Sequence, residues 1–375
     1  MSKKTNLPAG KRALNLARNN AVPIMFIIIC AVFIPMAGFS PSYLLNEIVT
    51  RMGRNLFLVL CLLFPIMAGM GLNFAMTLGA MGAEIAVILV ADWQIWGIPG
   101  LVLTVILSIP FSAALGFICG TIQNMAKGRE MITSYIINFF INGWYQFIVL
   151  YVMGSVIPII HSSIMLPRGF GIRNTVSLLN MRQCLDDLVA IRVAGVKIPV
   201  VTFVLVALFC LFIVWFRRTK LGQDMRAVGQ DMEVATAAGI DVDRTRIISV
   251  VMSTVFAGFG MVIYLQNIGN LPTYTGHAQI GMFCIAALLV GGASVERAAI
   301  GNAFLGVVLF HLMFIVAPGA GEFITGDSMV GEYFRVFLSY GVIAIALIMY
   351  EARKRMVKSK AGQELAEAQI KKEDA

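Results

Sequence analysis

Apolar stretches of roughly twenty residues recur from one end of this sequence to the other, and a helix of about that length crosses the hydrocarbon core of a bilayer. The first covers 21–39, and residues 55–83 hold no charge at all. Strands of a membrane barrel would alternate apolar and polar residues, which these segments do not, so a β-barrel is excluded. Of the 375 residues, 59% are hydrophobic and 13% charged, against about 25% charged in a soluble domain. The chain reads as all-α, a polytopic transmembrane helical bundle of about ten spans.

The spans are expected near 21–39, 55–71, 73–91, 99–120, 132–153, 198–216, 247–264, 279–293, 299–316 and 335–351. Pro65 and the run Gly69, Met70, Gly71 interrupt the helical pattern between the second and third. A tight hairpin around Glu296 and Arg297 joins the eighth and ninth. With both termini in the cytoplasm, 21 of the 29 lysines and arginines fall inside and 7 outside, the usual inward bias of positive charge. The basic N-terminus lacks a cleavage site after its first apolar run and is no signal peptide.

The net charge of +9 is distributed beside the spans, where it sets topology, and does not point to nucleic acid. Membrane lipid is the implied surface. Five of the six cysteines (Cys30, Cys61, Cys119, Cys210, Cys284) sit in apolar segments and Cys184 in a loop, with no CxxC pair. They read as small hydrophobes. His161, His277 and His311 are scattered, so no metal site and no catalytic constellation is expected.

One charged island stands between the first and last spans: "RRTKLGQDMRAVGQDMEVATAAGIDVDRTR", residues 217–246. Arg217, Arg218 and Lys220 follow a span directly, where they anchor at headgroups. Gly222 is read as breaking that span, a short amphipathic helix follows, and Gly239 serves as its C-cap. Five acidic residues face six basic ones, whereas a helix lying on a membrane surface would be lopsidedly basic. A balanced helix held between two spans suits a docking knob for another protein.

The island resembles the cytoplasmic loop of bacterial ABC-transporter permeases of the ribose/galactose (simple sugar) and nucleoside class, binding-protein-dependent importers whose loop carries a T-x-x-G-x-x-x-R-A-V-G-x-N pattern. Thr219, Gly222, Arg226, Ala227, Val228 and Gly229 stand on matching positions, and Ala235, Gly239 and Ile240 continue the match. Asp231 replaces the usual asparagine, and both are good cap residues. "IAALLVGGASVERAAIGNAFLGVVLF" (285–310) is similar to a second segment of the class, and "GREMITSYIINFFINGW" (128–144) to its nucleoside-type members. The resemblance covers residues 20–350 and implies that the loop helix is a coupling helix seated on a cytoplasmic ATPase, with Gly222, Arg226, Ala227, Gly229, Asp231, Glu233, Ala235 and Gly239 at that contact.

It further implies residues 1–20 as a cytoplasmic N-terminal segment, 21–351 as the transmembrane permease domain with an external loop at 154–197 and the coupling loop at 217–246, and 352–375 as a cytoplasmic tail. The setting would be the bacterial cytoplasmic (inner) membrane. The partners would be the ABC ATPase subunit, a second permease copy or sister permease, and an extracytoplasmic solute-binding protein. No phosphate-cradling G-x-x-x-x-G-K-[ST] pattern occurs. No cofactor would therefore bind this chain, ATP would be used by the partner subunit, and the chain would be a transport subunit rather than an enzyme.

Polar residues inside spans tend to face a cavity or a neighbouring helix. Asn73 and Thr77, with Asn138, Asn142 and Gln146 on one face of the fifth span, are the candidates for the solute path. Asn138 and Asn142 are equally readable as interhelical glue, Trp144 as interfacial packing, and Glu84 as a structural pair with another helix. Neutral amides and hydroxyls suit an uncharged, hydroxyl-rich cargo: a simple sugar, with a nucleoside, or the branched-chain amino acids of the same superfamily, as alternatives. An ion-coupled secondary transporter would want several buried ionisable groups, and only Glu84 qualifies.

Overall fold

A computed structural model describes residues 20–193, 195–337, 340, 341, 344, 345 and 348. The expected N-terminal segment, the tail and most of the tenth span lie outside them. The described residues are mostly helical. In chain order they form α1 (Ala21–Ala37), α2 (Pro41–Cys61), α3 (Leu63–Met67), α4 (Met76–Asp92), α5 (Gly97–Met125) and α6 (Glu130–Phe147). A cap segment follows with strands β1 (Thr175–Ser177), β2 (Ala190–Val193) and β3 (Val196–Pro199). Then come α7 (Val200–Phe216), α8 (Lys220–Gln230), α9 (Met232–Ala237), α10 (Val242–Ile268), β4 (Asn270–Pro272), α11 (Ile280–Val290) and α12 (Ile300–Thr325).

Among the described residues, five helical segments are long and apolar enough to cross a membrane: Pro41–Met67, Gly97–Met125, Glu130–Val152, Val242–Ile268 and Ile300–Thr325. A sixth arises if α7 and α8, which meet at a bend of 73°, are taken as one. α1 and α11 are shorter apolar helices. The molecule is a helical membrane protein.

Helix ends differ from hydropathy in an informative way. α2 begins at Pro41, in the favourable first-turn position after the cap residue Ser40, well before the expected residue 55. Its charges are accommodated locally: Arg51 pairs with Glu47 at 3.1 Å and Arg54 lies over the Tyr264 ring at 5.5 Å. α12 likewise runs past residue 316 and over Pro318 to Thr325. Hydropathy counts charges and cannot see that they are paired along a helix.

The centre is α10, packed against α4 and α5. A Cβ at Gly79 of α4 would stand 1.9 Å from the carbonyl oxygen of Thr254 on α10, so only glycine permits this approach. Small residues at helix crossings are how spans gain packing where the lipid supplies no hydrophobic drive. α7 joins through aromatic contacts, Phe209 stacking on Phe57 at 4.1 Å and lying 4.8 Å from Phe256.

The segment 154–197 packs as a small cap on one end of the bundle. It is built on strands: β2 and β3 make an antiparallel hairpin, and β1 pairs antiparallel with β4, Val176 opposite Leu271. Two buried carboxylates fasten it. Asp92, at the end of α4, accepts from the backbone N–H groups of Ile160 and His161, each at 2.9 Å. Asp186 accepts from the Thr202 hydroxyl and, at 2.7 Å, from the Asn267 amide.

Candidate functional site

The break between α3 and α4 is where the sequence-predicted residues meet. Gly69 and Gly71 have φ values of +73° and +71°, conformations open to glycine, and they carry the chain through a non-helical passage before α4 starts. Asn73, in that passage, accepts from Ala75 N–H at 2.9 Å and from the Gln123 amide of α5 at 3.0 Å. The backbone N–H of Phe74 donates to Ser134 of α6 at 3.2 Å. Backbone freed at membrane depth is thus satisfied by protein, as it must be.

From there a polar chain runs along α6. The Thr77 hydroxyl lies 2.5 Å from Asn138 Oδ1. One turn on, Asn142 Oδ1 lies 2.9 Å from His277 Nε2, and the other ring nitrogen of His277 is 2.8 Å from a carboxylate oxygen of Glu84. Gln146 continues the face, its amide 3.4 Å from Asn142 Oδ1 and from the Tyr274 carbonyl. Glu84 and His277 are both fully enclosed, at 0% and 1% exposure.

All five path candidates therefore fall in one connected region between α4, α5, α6 and the segment 269–279. Glu84 has the partner on another element that its lack of i±4 neighbours demands. Trp144 points away, exposed, edge to face with Phe147. His277 and Tyr145 escape sequence reading. Tyr145 is buried edge-on against the His277 ring at 4.9 Å and donates to the Thr273 carbonyl at 2.9 Å. A buried carboxylate without a local partner was the available signal that a distant basic residue must come to it.

Several polar atoms in this region are buried without a partner among the described residues: Asn73 Nδ2, Glu84 Oε1, Gln123 Oε1 and Thr273 Oγ1. Leaving such groups unpaired is costly, and together they offer donors and acceptors to a polar molecule.

At the same end as the α3–α4 break lies the charged island. It is two helices rather than one. Gly222 does not break the preceding span; α7 ends at Phe216 and Thr219 caps α8, its hydroxyl accepting from Gly222 N–H at 3.3 Å. Gly222 is buried in the first turn, where a Cβ would stand 2.1 Å from the Phe216 carbonyl oxygen. Asp231 caps α9 by accepting from Glu233 N–H at 2.9 Å and Val234 N–H at 3.1 Å, as its cap character predicts. Gly239 takes φ +79° just beyond α9, the left-handed ending expected of it.

Arg226, Gly229, Asp231, Glu233 and Gly239 are exposed, Ala227 is half-buried and Ala235 is buried. Val234 stands 64% exposed beside them. Beyond Met225, which is buried in the core of the bundle, two contacts of the island's inner side bear on the polar region. Gly229 packs on the backbone of Met67 and Gly69, where its own Cβ would be 2.2 Å from the Met67 carbonyl oxygen. Met232 lies 3.3 Å from the guanidinium of Arg246, which is fully buried and paired with Glu130 at the start of α6. The island thus bears on the α3–α4 break directly and on the start of α6 through Arg246 and Glu130. Val295 of the 291–299 hairpin packs against Gly71 at the same place.

Spans joined by broken helices, with a capped helical island docked beside the break, are the architecture of a transport protein. The chain belongs to the family described as branched-chain amino acid transport system / permease component, whose profile matches residues 44–350. Among curated relatives, it is 25% identical over 257 residues to the nucleoside ABC transporter permease protein NupB of Lactococcus lactis subsp. cremoris, covering 65% of this chain and 63% of that protein. It is 30% identical over 120 residues to the xylose transport system permease protein XylH of Haemophilus influenzae, 32% of this chain and 30% of the relative. With the galactose/methyl galactoside import permease protein MglC of Salmonella typhimurium it shares 26% over 160 residues, 42% and 45% of the two chains. Each match spans less than two thirds of the relative's length. No solved structure matches the chain significantly.

Proposed function

We infer that this chain is the permease subunit of an ATP-driven importer carrying an uncharged, hydroxyl-rich solute, a simple sugar or a nucleoside, across a bacterial cytoplasmic membrane. The observation that carries this is the contact of Gly229 with Gly69: the exposed island rests on the broken span that leads into the polar region. α8 and α9 are the coupling helix, and an ATPase subunit seats on Arg226, Asp231, Glu233 and Val234. Closure of the ATPases displaces the island, and the α3–α4 break and α6 follow through Gly229 and through Arg246 with Glu130.

The five long segments, with α1, α4, α7, α11 and the expected span at 335–351, are counted as ten spans with both termini cytoplasmic. The cap at 154–197 then faces outward, where a solute-binding protein docks. A second copy or a sister permease completes the path. Asn73, Thr77, Asn138, Asn142 and Gln146 line it, and their neutral amides and hydroxyls match hydroxyl-rich cargo. Support for sugars and nucleosides also comes from the names of the relatives above.

Proteoliposomes holding the permease with a cognate ABC ATPase and solute-binding protein test this. Uptake of labelled ribose or uridine should require ATP. Uptake driven by a proton or sodium gradient without ATP would favour a secondary transporter using the Glu84–His277 pair and would overturn the importer assignment.

A further inference from the structure

A cavity of about 400 Å³ opens beside the polar region and contains none of the five path candidates. It lies between α2, α10, α11, α12 and the segment 269–279, at the cap end of the bundle. Its size is within the roughly 300–1,000 Å³ of small-molecule sites. Thr275 and Gln279, both exposed, stand at its mouth, and Asn55 and His311, both buried, lie deeper. Tyr264 and Phe283 supply aromatic surface, and the wall carries no charged side chain.

His311 is 93% buried, with 7% exposure, yet among the described residues its Nδ1 has no hydrogen-bond partner. Its ring is held edge to face by Phe310 at 5.4 Å, so it cannot turn away to find one cheaply. Asn55 commits its amide nitrogen to the Arg51 carbonyl at 2.9 Å, which leaves the side-chain oxygen to accept. Gly276 separates this cavity from the Glu84 carboxylate; a Cβ there would stand 2.6 Å from Glu84 Oε1. The two regions are therefore neighbours across one strand of backbone.

An apolar wall with two aromatic rings, edged by neutral amides, a hydroxyl and an unpartnered imidazole, matches a solute with one flat apolar face and one hydroxylated edge. A bare sugar would leave most of the apolar wall uncovered. A charged amino acid would find no counter-charge among the lining side chains, and the nearby Arg54 guanidinium is engaged over the Tyr264 ring at 5.5 Å and with Asn267 Oδ1 at 3.4 Å. We propose that this cavity is a binding site for an uncharged nucleoside, the base lying against Tyr264 and Phe283 and the ribose hydroxyls meeting Asn55, Gln279 and His311. The inference rests on the importer assignment above and narrows its cargo.

The test uses the full-length permease in nanodiscs and equilibrium binding of tritiated uridine, with ribose and leucine as competitors. The wild type should bind uridine, and ribose and leucine should compete at least about tenfold more weakly. Thr275→Trp plugs the exposed mouth without disturbing the core, and His311→Leu removes the deep polar group. Each should weaken uridine binding by about tenfold or more, the scale of one lost well-placed hydrogen bond or more. An azido-uridine photoprobe should label residues between 264 and 283. Absence of uridine binding by folded wild type, or binding unchanged in Thr275→Trp, would overturn the proposal. Where His311→Leu unfolds, Thr275→Trp decides alone. Capture of the ATPase, scored on the same preparations, separates the failures: intact capture without nucleoside binding sinks the cavity only, whereas wild-type protein that captures no ATPase sinks the importer assignment.

Discussion

Gly229 of the charged island and Gly69 of the broken span meet backbone to backbone: a Cβ built on Gly69 would stand 2.9 Å from the Gly229 Cα. Neither position has room for a side chain. Two backbones in direct contact transmit displacement without the slack of flexible side chains, which is what a lever between an ATPase and a membrane path requires.

Gly229→Val tests that lever. The added methyls strike the Met67 carbonyl and push α8 off the break, an overpacking cost of about 1–3 kcal/mol. ATPase capture should survive, since the exposed face of α8 and α9 is untouched, while ATP-driven uptake falls by about tenfold or more. Gly239→Ala is the control. Its φ of +79° makes alanine strained, but nothing lies within 4 Å, so uptake should hold with a loss of about 1 kcal/mol in local stability. Equal uptake in Gly229→Val and wild type would remove the contact from the coupling route.

The α6 amides have two roles to separate. Asn138→Leu with Asn142→Leu removes the contacts to Thr77 and His277. Interhelical hydrogen bonds in membranes are worth about 0.6–2 kcal/mol each, so the double variant should melt earlier yet still fold. Its uptake should drop by about tenfold or more if these residues line the path. A folded variant with unchanged uptake would leave them as glue only.

Cys184 reports on the side of the membrane that the cap faces. Burial pushes its thiol up from the ordinary value, and the thiolate is the reactive form. With the folded pKa raised, thiolate is scarce at pH 7 and grows as pH rises, so labelling by an impermeant maleimide should be slow at pH 7 and speed up by about tenfold per pH unit below that pKa. It should occur in spheroplasts with the inner membrane intact. Labelling only after that membrane is broken would reverse the topology.

The membrane-helical character of the chain and the presence of a charged island are plain in the residues because both are local signals. Apolar run length reports an apolar helix, and Asp231 and Gly239 cap and end α9 through their own backbone neighbours. The break at Gly69 to Gly71 is legible for the same reason. The cap at Thr219 and the division of the island into two helices are not read from the residues. The rest of what stays hidden is long-range. Arg54 looks like the end of a span until the Tyr264 ring is seen beside it. His277 is one histidine in a polar loop until the chain brings it 2.8 Å from Glu84, 193 residues away. The cavity at His311 joins five separate segments, and no spacing in the sequence relates them.

ATPase capture by the Ala235→Pro variant tests the docking assignment most directly. Ala235 is buried inside α9, its N–H bonded to the Asp231 carbonyl at 3.1 Å, so proline removes that bond and breaks the helix at about 3 kcal/mol or more. The helices on either side, α8 and α10, have their own caps at Thr219 and Asp241, and the protein should still insert. Purified Ala235→Pro permease should capture its cognate ABC ATPase at less than about a tenth of the wild-type level. Capture at the wild-type level, by a variant whose α9 is shown to be broken, would contradict the assignment of residues 220–237 as the coupling helix.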